Sequence, residues 1–400
     1  MPVAPKVKHD PRMQRRVNPR SLASRALAVT NVPLLLVTAL LVAFGLVVVY
    51  SVVVGLPKYS FSRQLSGAAA GLVVMCVLWR VDYRKMSNLV FPLLVVIVVL
   101  TLSPLAPVIG TDVNGARSWI TVFGQQFQPA EFAKVAFILY AAALVARYRG
   151  SIRSGSAYLK VLGLLLVPTV CIMAQPDLGT GMVLFIIGMV VLFTGGANRR
   201  WLAVTAVVVI VAVVFCLWFD GVLDAGIGRD VFIKDYQKNR LLVFLNENID
   251  PQGISYNLRQ SKIAIGSGGL LGKGLGNATQ SGLGFLPEAP TDFIFCALAE
   301  QFGFLGSLTL IGMYVALLTV ALHIAFTANN LYGTLIVSGA MGMWVFQVFE
   351  NIGMTCGLMP ITGIPLPFVS YGSSFLIVNF AVVGLLCSVW AHRDTNKKRG

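Results

Sequence analysis

A chain of 400 residues that is 56% hydrophobic and only 12% charged, with a mean hydropathy of +0.79, does not have the composition of an ordinary soluble globular protein. Its formal charge of +15 lies in the N-terminal tail, the short connections and the C-terminal tail, a membrane-topology pattern that argues against nucleic acid as a partner. The six cysteines, Cys76, Cys171, Cys216, Cys296, Cys356 and Cys387, sit in or beside apolar segments without metal-ligand spacing and read as core residues.

Residues 1–30 carry Lys6, Lys8, Arg12, Arg15, Arg16, Arg20 and Arg25 with little periodic apolar content, which reads as a flexible basic tail. The apolar run from Val32 is too long for a signal-peptide core. Apolar runs recur from there on, and we expect an all-α polytopic membrane protein of about ten spans, near 33–54, 64–80, 88–109, 129–148, 158–175, 178–195, 201–219, 291–325, 331–350 and 374–391. The eighth is too long for one straight crossing. Its first part, through Glu300, Gly303 and Gly306, is expected to be tilted or broken, with the true span beginning near Phe304. The organisation is one membrane domain over 31–392, with a second basic tail at 393–400.

Lysine and arginine concentrate in the connections that share a side with the N-terminal tail, so both termini are expected to be cytoplasmic. The one large connection, 220–290, then lies outside, and connections of that length are usually functional. That topology places His9, His323 and His392 inside, leaving no imidazole for chemistry at the outer face. Within the large loop, Gly266 to Asn277 is rich in glycine, but no Gly-Lys-Ser/Thr ending makes it a nucleotide loop. Turns and tight packing are the plainer reading, while Lys262 and Lys273 offer point charges to an anionic pyrophosphate.

Ionisable groups inside a membrane are either functional or paired. Glu131 and Lys134, three apart after Gln128-Pro129, fit a local ion pair at a helix start. Gln175-Pro176-Asp177-Leu178-Gly179-Thr180 reads as a tight turn with Asp177 capping the next helix. Glu350-Asn351 is taken as the end of the ninth span, followed by an irregular, proline-rich outer connection from Met359 to Ser370 and by Tyr371-Gly372-Ser373-Ser374 opening the last span. At the junction of the large loop and the eighth span, Leu286 to Phe295 leaves a carboxylate, Asp292, at a membrane boundary. There it is expected to face water or a substrate cavity, with Glu300 about two helical turns further along the same side.

Four segments together resemble the SEDS family (shape, elongation, division and sporulation): Asn114 to Ile120 with Phe127 to Glu131; Gln175 to Thr180; Gln280 to Glu300; and Pro365 to Ser374. Asp235 to Arg240 and Gln260 to Gly269 look more like its elongation branch than its division branch. The resemblance implies a peptidoglycan glycosyltransferase of the bacterial cytoplasmic membrane that polymerises lipid II at the outer face, alongside a class B penicillin-binding protein. It also implies that Asp292, in the Thr-Asp-Phe-Ile-Phe segment, is the essential residue. Two positions depart from the family: Ser118 stands where many members carry a second arginine, and Ser373 where Tyr-Gly-Gly is usual and a positive φ is tolerated.

The expected chemistry is inverting transfer from an undecaprenyl-pyrophosphate-linked donor, with Asp292 taking the proton of the acceptor 4-hydroxyl. Help for the departing pyrophosphate is expected from Lys262, Lys273, Arg240 or a divalent cation, Mg or Mn. Glu288, Glu131, Lys134, Glu300, Gln175, Asp177, Ser370 and Tyr371 complete the expected substrate-binding set, and Glu288 is the one further carboxylate that stands out near Asp292. The competing readings are a flippase for a lipid-linked cell-wall precursor, which suits many spans with polar residues, and a non-catalytic envelope scaffold.

Overall fold

The computed structural model describes residues 29–393 apart from 55, 107–109, 114–115, 123–124, 149–150, 174, 176, 228–239, 241–242, 245, 247–252, 283 and 287. Residues 1–28 and 394–400 of the two basic tails and the Asp235 to Asn239 part of the elongation-type signature therefore lie outside the described residues. The principal helices are α1 (Val32–Val53), α2 (Phe61–Arg80), α3 (Val90–Leu102), α4 (Pro129–Arg147), α5 (Gly155–Met173), α6 (Leu178–Thr194), α7 (Arg199–Ile227), α8 (Ile254–Ser267), α9 (Ile294–Thr327), α10 (Leu331–Cys356) and α11 (Ser373–Ala391). Among the described residues, eight helices are long and apolar enough to cross a membrane, and α3 and α6 are shorter apolar helices. The chain is a polytopic helical membrane protein.

Helix starts follow the local chemistry. Asn31 accepts from the Leu34 amide at 3.0 Å, Asp177 from the Thr180 amide at 2.9 Å, and Asn330 from the Gly333 amide at 2.8 Å, each supplying an acceptor for an otherwise orphaned N–H. Small residues set the closest helix approaches. A Cβ at Gly342 of α10 would lie 2.9 Å from Val190 of α6, and one at Gly384 of α11 would lie 2.7 Å from the Met75 carbonyl of α2. The core is continuous across α4, α6, α10 and α11, which are far more buried than α7.

Three departures from the sequence reading, and one break that it expected, shape the site end of the bundle. The third span stops at Leu102, not 109, and the chain enters a small antiparallel sheet of β1 (Gly110–Val113), β2 (Ala116–Val122) and β3 (Gln125–Phe127) in the order β1-β2-β3. The β-branched and aromatic residues of Ser118-Trp119-Ile120-Thr121 explain the strand, with Ser118 and Ile120 buried and Thr121 exposed. Ser118 is thus turned inward.

The ninth span does not end at Glu350-Asn351. Helix α10 continues to Cys356 and stops at Gly357, whose φ of +76° lets the Gly357 and Leu358 amides close back on Met354 and Gly353. Both polar residues are consequently inside the helix and buried, at 1% and 0% exposure.

The segment expected as an irregular outer connection enters the bundle. Tyr314, within α9, donates its hydroxyl to the Pro367 carbonyl at 2.6 Å, the Trp344 and Phe368 rings lie 5.8 Å apart, and Gly45 of α1 approaches the Phe368 carbonyl closely enough that a Cβ would lie 2.5 Å away. Irregular backbone at that depth is tolerated because protein surrounds it and takes its hydrogen bonds. The positive φ values of this region fall on Gly363 (78°), Phe368 (65°) and Gly372, and Ser373 is an ordinary first residue of α11.

Finally, α9 is broken at Gly303, with φ 66° and ψ −160°. The glycine-rich run docks backbone to backbone on the break. Lys273 and Gly274 amides donate to the Glu300 and Gln301 carbonyls at 3.0 Å each, and the Phe304 and Leu305 amides donate to the Gly269 and Leu270 carbonyls at 2.9 and 3.1 Å. A Cβ at Gly272 would lie 2.1 Å from the Gln301 carbonyl, so the run is glycine because two backbones touch there.

Candidate active site

Asp292 sits half-buried in the turn before α9, where three segments meet. Its backbone carbonyl accepts from Asn351 Nδ2 at 2.8 Å, and the same nitrogen donates to the Ile364 carbonyl at 2.8 Å. Its carboxylate faces Gly363: a Cβ there would lie 3.0 Å from Asp292 Oδ2 and 3.5 Å from Arg240 Nη1. Gly363, with φ +78°, is the residue that lets the loop come this close. Arg240 Nη1 donates to the Thr362 carbonyl at 2.8 Å, so a guanidinium and a carboxylate flank one glycine.

Burial, and then the charge of Glu288, raise the Asp292 pKa to about 7, with Arg240 and Lys58 pulling the other way. Glu288 has its own partners: Lys58 Nζ at 2.9 Å, Tyr59 Oη at 3.1 Å and Thr291 Oγ1 at 3.0 Å. Ser370 and Tyr371 hold the approach to Asp292 by hydrogen bonds. Ser370 Oγ donates to the Thr291 carbonyl at 2.7 Å and the Tyr371 amide to the Pro290 carbonyl at 2.8 Å. Gln64 of α2 closes the arrangement, donating to the Ser370 carbonyl at 3.2 Å and accepting from the Gly372 amide at 2.9 Å.

The remaining expected residues fall into two further groups. Glu131 and Lys134 pair at 2.7 Å, both buried, and Asp177 caps α6 while accepting from Gln128 Nε2 at 3.3 Å. Gln175 is fully buried, and both its amide atoms lack a hydrogen-bond partner among the described residues. This group adjoins the Asp292 group, because a Cβ at Gly179 would lie 3.4 Å from the Thr362 carbonyl and 3.7 Å from Asp177 Oδ1. Lys262 lies against Gly357, at the end of α10.

Lys273 and Glu300 belong to the helix break. Glu300, fully buried, accepts from Lys273 Nζ at 2.8 Å, from the Thr279 amide and hydroxyl at 2.8 Å each, from the Gln280 amide at 2.9 Å, and from the Ser281 amide and hydroxyl at 3.2 and 3.0 Å. That carboxylate organises the loop leading to Asp292.

Residues that sequence reasoning passed over as site residues are Lys58, Tyr59, Gln64, Glu350, Asn351 and Thr362. Glu350 is a carboxylate besides Glu288 that reaches the Asp292 surroundings: its Oε1 accepts from the Thr362 hydroxyl. The signal available for it was a Glu-Asn pair inside an apolar run, which reads as a span end when the helix is given too short a length.

The chain matches the model of the FtsW/RodA/SpoVE cell cycle protein family over residues 32–395. It is 37% identical over 367 residues to the peptidoglycan glycosyltransferase MrdB of Escherichia coli K12, across 91% of this chain and 94% of that protein. To the peptidoglycan glycosyltransferase RodA of Treponema pallidum it is 33% identical over 427 residues, across 90% and 97%. Its fold is similar, with a TM-score of 0.73 and 30% identity, to a chain solved in a study of how a peptidoglycan synthase complex coordinates polymerization and crosslinking, covering 90% of this chain and 98% of that one.

Proposed function

The chain belongs to the FtsW/RodA/SpoVE family and is a peptidoglycan glycosyltransferase of the RodA type, and from that premise we propose that it polymerises lipid II at the outer face of the bacterial cytoplasmic membrane with Asp292 as general base. The observation that carries the assignment of the base is a half-buried carboxylate whose pKa is raised to about 7, beside a guanidinium and under a glycine that leaves its oxygen uncovered by a side chain.

In the proposed step the 4-hydroxyl of the acceptor sugar attacks the anomeric carbon of the donor. The bond from that carbon to the lipid-linked pyrophosphate breaks, the hydroxyl proton passes to Asp292, and direct displacement inverts the configuration. Arg240, which shares the Gly363 surface with Asp292 and donates to the Thr362 carbonyl, is the cation nearest the base to receive the developing pyrophosphate charge, while Lys262 lies against Gly357 and Lys273 holds Glu300 and Thr279. The described residues contain no group of three His, Cys, Asp or Glu side chains spaced to hold a metal ion. A divalent cation, Mg or Mn, would add positive charge at the departing pyrophosphate, and the proton transfer runs on the chain's own residues.

The partner in this reading is a class B penicillin-binding protein, supported by the similarity to a chain of a synthase complex that couples polymerization to crosslinking. Both termini are placed in the cytoplasm on the distribution of basic residues. The test is polymerisation of lipid II by the purified chain and by D292N, with and without divalent cation; polymer from wild type and none from D292N supports the reading.

A further inference from the structure

We propose that Glu350 is a positioning residue for Asp292, acting through the wall Thr362-Gly363-Ile364 that stands against the base; the inference rests on the polymerase reading above. Each of the three wall residues is engaged. Thr362 is held twice: its hydroxyl donates to Glu350 Oε1, and its carbonyl accepts from Arg240 at 2.8 Å. Gly363 is the residue facing Asp292 Oδ2. The Ile364 carbonyl accepts from Asn351, which at the same time holds the Asp292 backbone.

Glu350 and Asn351 are adjacent on α10, one gripping the wall at Thr362 and the other gripping both the wall and the base. The helix therefore sets the distance between Asp292 and the glycine opposite it, and it places Arg240 by fixing the carbonyl that the guanidinium grips. Glu350 is 1% exposed, and its second oxygen, Oε2, has no hydrogen-bond partner among the described residues. Keeping a carboxyl group half-satisfied inside a membrane helix is costly. A residue needed only to hold the helix in the membrane would be apolar here, so the position points to a task at the site.

Because Glu350 acts through Thr362 and the wall, its loss is expected to act on the geometry of the base and not on the binding of lipid II. Purified full-length wild type, E350A, T362V, E350A/T362V and E350Q, each assayed for kcat and KM with lipid II, test this. Misplacing a base by a fraction of an ångström to one ångström costs on the order of tenfold to a hundredfold in rate. E350A and T362V are accordingly expected to lower kcat by about tenfold or more with KM changed less than about threefold. The double variant is expected to be no slower than the worse single variant by more than about twofold, because both remove one hydrogen bond. E350Q keeps an acceptor oxygen for the Thr362 hydroxyl and is expected to stay within about threefold of wild type.

Wild-type kcat in E350A or T362V, multiplying losses in the double variant, or E350Q as slow as E350A would each overturn the proposal. Should E350A not fold, T362V alone carries the same expectation, and its wild-type kcat would overturn it. Failure of the polymerase reading looks different: wild type itself then makes no polymer.

Discussion

Asn351 Nδ2 donates to the Asp292 carbonyl at 2.8 Å while donating to the Ile364 carbonyl at the same distance, so one buried amide fastens the loop that carries Asp292, the proposed base, to the loop that faces it. Replacing it with leucine strips a partner from two enclosed carbonyls. N351L is expected to lose about 2 kcal/mol or more of stability and to lower polymerisation further than the drop in folded protein accounts for. Thermal unfolding and lipid II turnover on the same preparation measure both; an unchanged melting temperature would show that the two loops are fastened elsewhere.

The pH dependence has a definite sign. Burial and Glu288 raise the Asp292 pKa to about 7, and a base must be ionised to accept a proton, so the rate should rise as pH passes through about 7 and level off above it. Glu288 raises that pKa, whereas Arg240 and Lys58 lower it. E288Q is therefore expected to move the acidic limb of the pH–rate profile to lower pH. A limb that stays fixed, or moves upward, in E288Q would mean that a different group titrates.

Glu300 is bound to the loop through Lys273, Thr279, Gln280 and Ser281. E300A leaves Lys273 and the Thr279, Gln280 and Ser281 donors without their common acceptor, and a broken buried ion pair typically costs about 3 kcal/mol or more. The expected result is a lower melting temperature with a KM for lipid II near wild type in whatever protein stays folded. A raised KM at unchanged stability would return Glu300 to the substrate.

Two glycines of the same run separate strain from collision. Gly269 and Gly272 both have positive φ, but a Cβ at Gly269 meets nothing within 4 Å, while one at Gly272 would lie 2.1 Å from the Gln301 carbonyl. G269A should cost about 1 kcal/mol and G272A clearly more, since it pushes the loop off the break in α9. Equal melting temperatures for the two variants would remove the docked-loop account.

How much of this was legible in the sequence depends on which force fixed each element. Apolar length gave the helical spans, and Asp292 stood out because a carboxylate at a membrane boundary is costly. The Gly303 break lay inside the stretch marked as too long for one crossing. What escaped notice depended on tertiary contact. Strand β2 was hidden because seven residues in a connection between two spans carry too short an alternation to stand out as a strand. The end of α10 was misplaced because Glu350-Asn351 looked like a polar boundary, when the stop signal was Gly357 and the two side chains had partners far along the chain. The inward course of Met359 to Ser370 could not be read from its prolines, which mark irregular backbone in solvent and in a protein interior alike. Lys58 and Tyr59 gained meaning only from Glu288, some 230 residues later.

The most direct test of the account is D292N in a purified lipid II polymerisation assay at pH 8, read together with thermal unfolding. An acid whose folded pKa is raised is held in its charged form against burial at that pH, so the neutral amide should melt no lower than wild type. The account predicts a correctly folded D292N that makes no glycan polymer, a loss of at least about a hundredfold. A folded D292N that polymerises lipid II at a rate near wild type would contradict it.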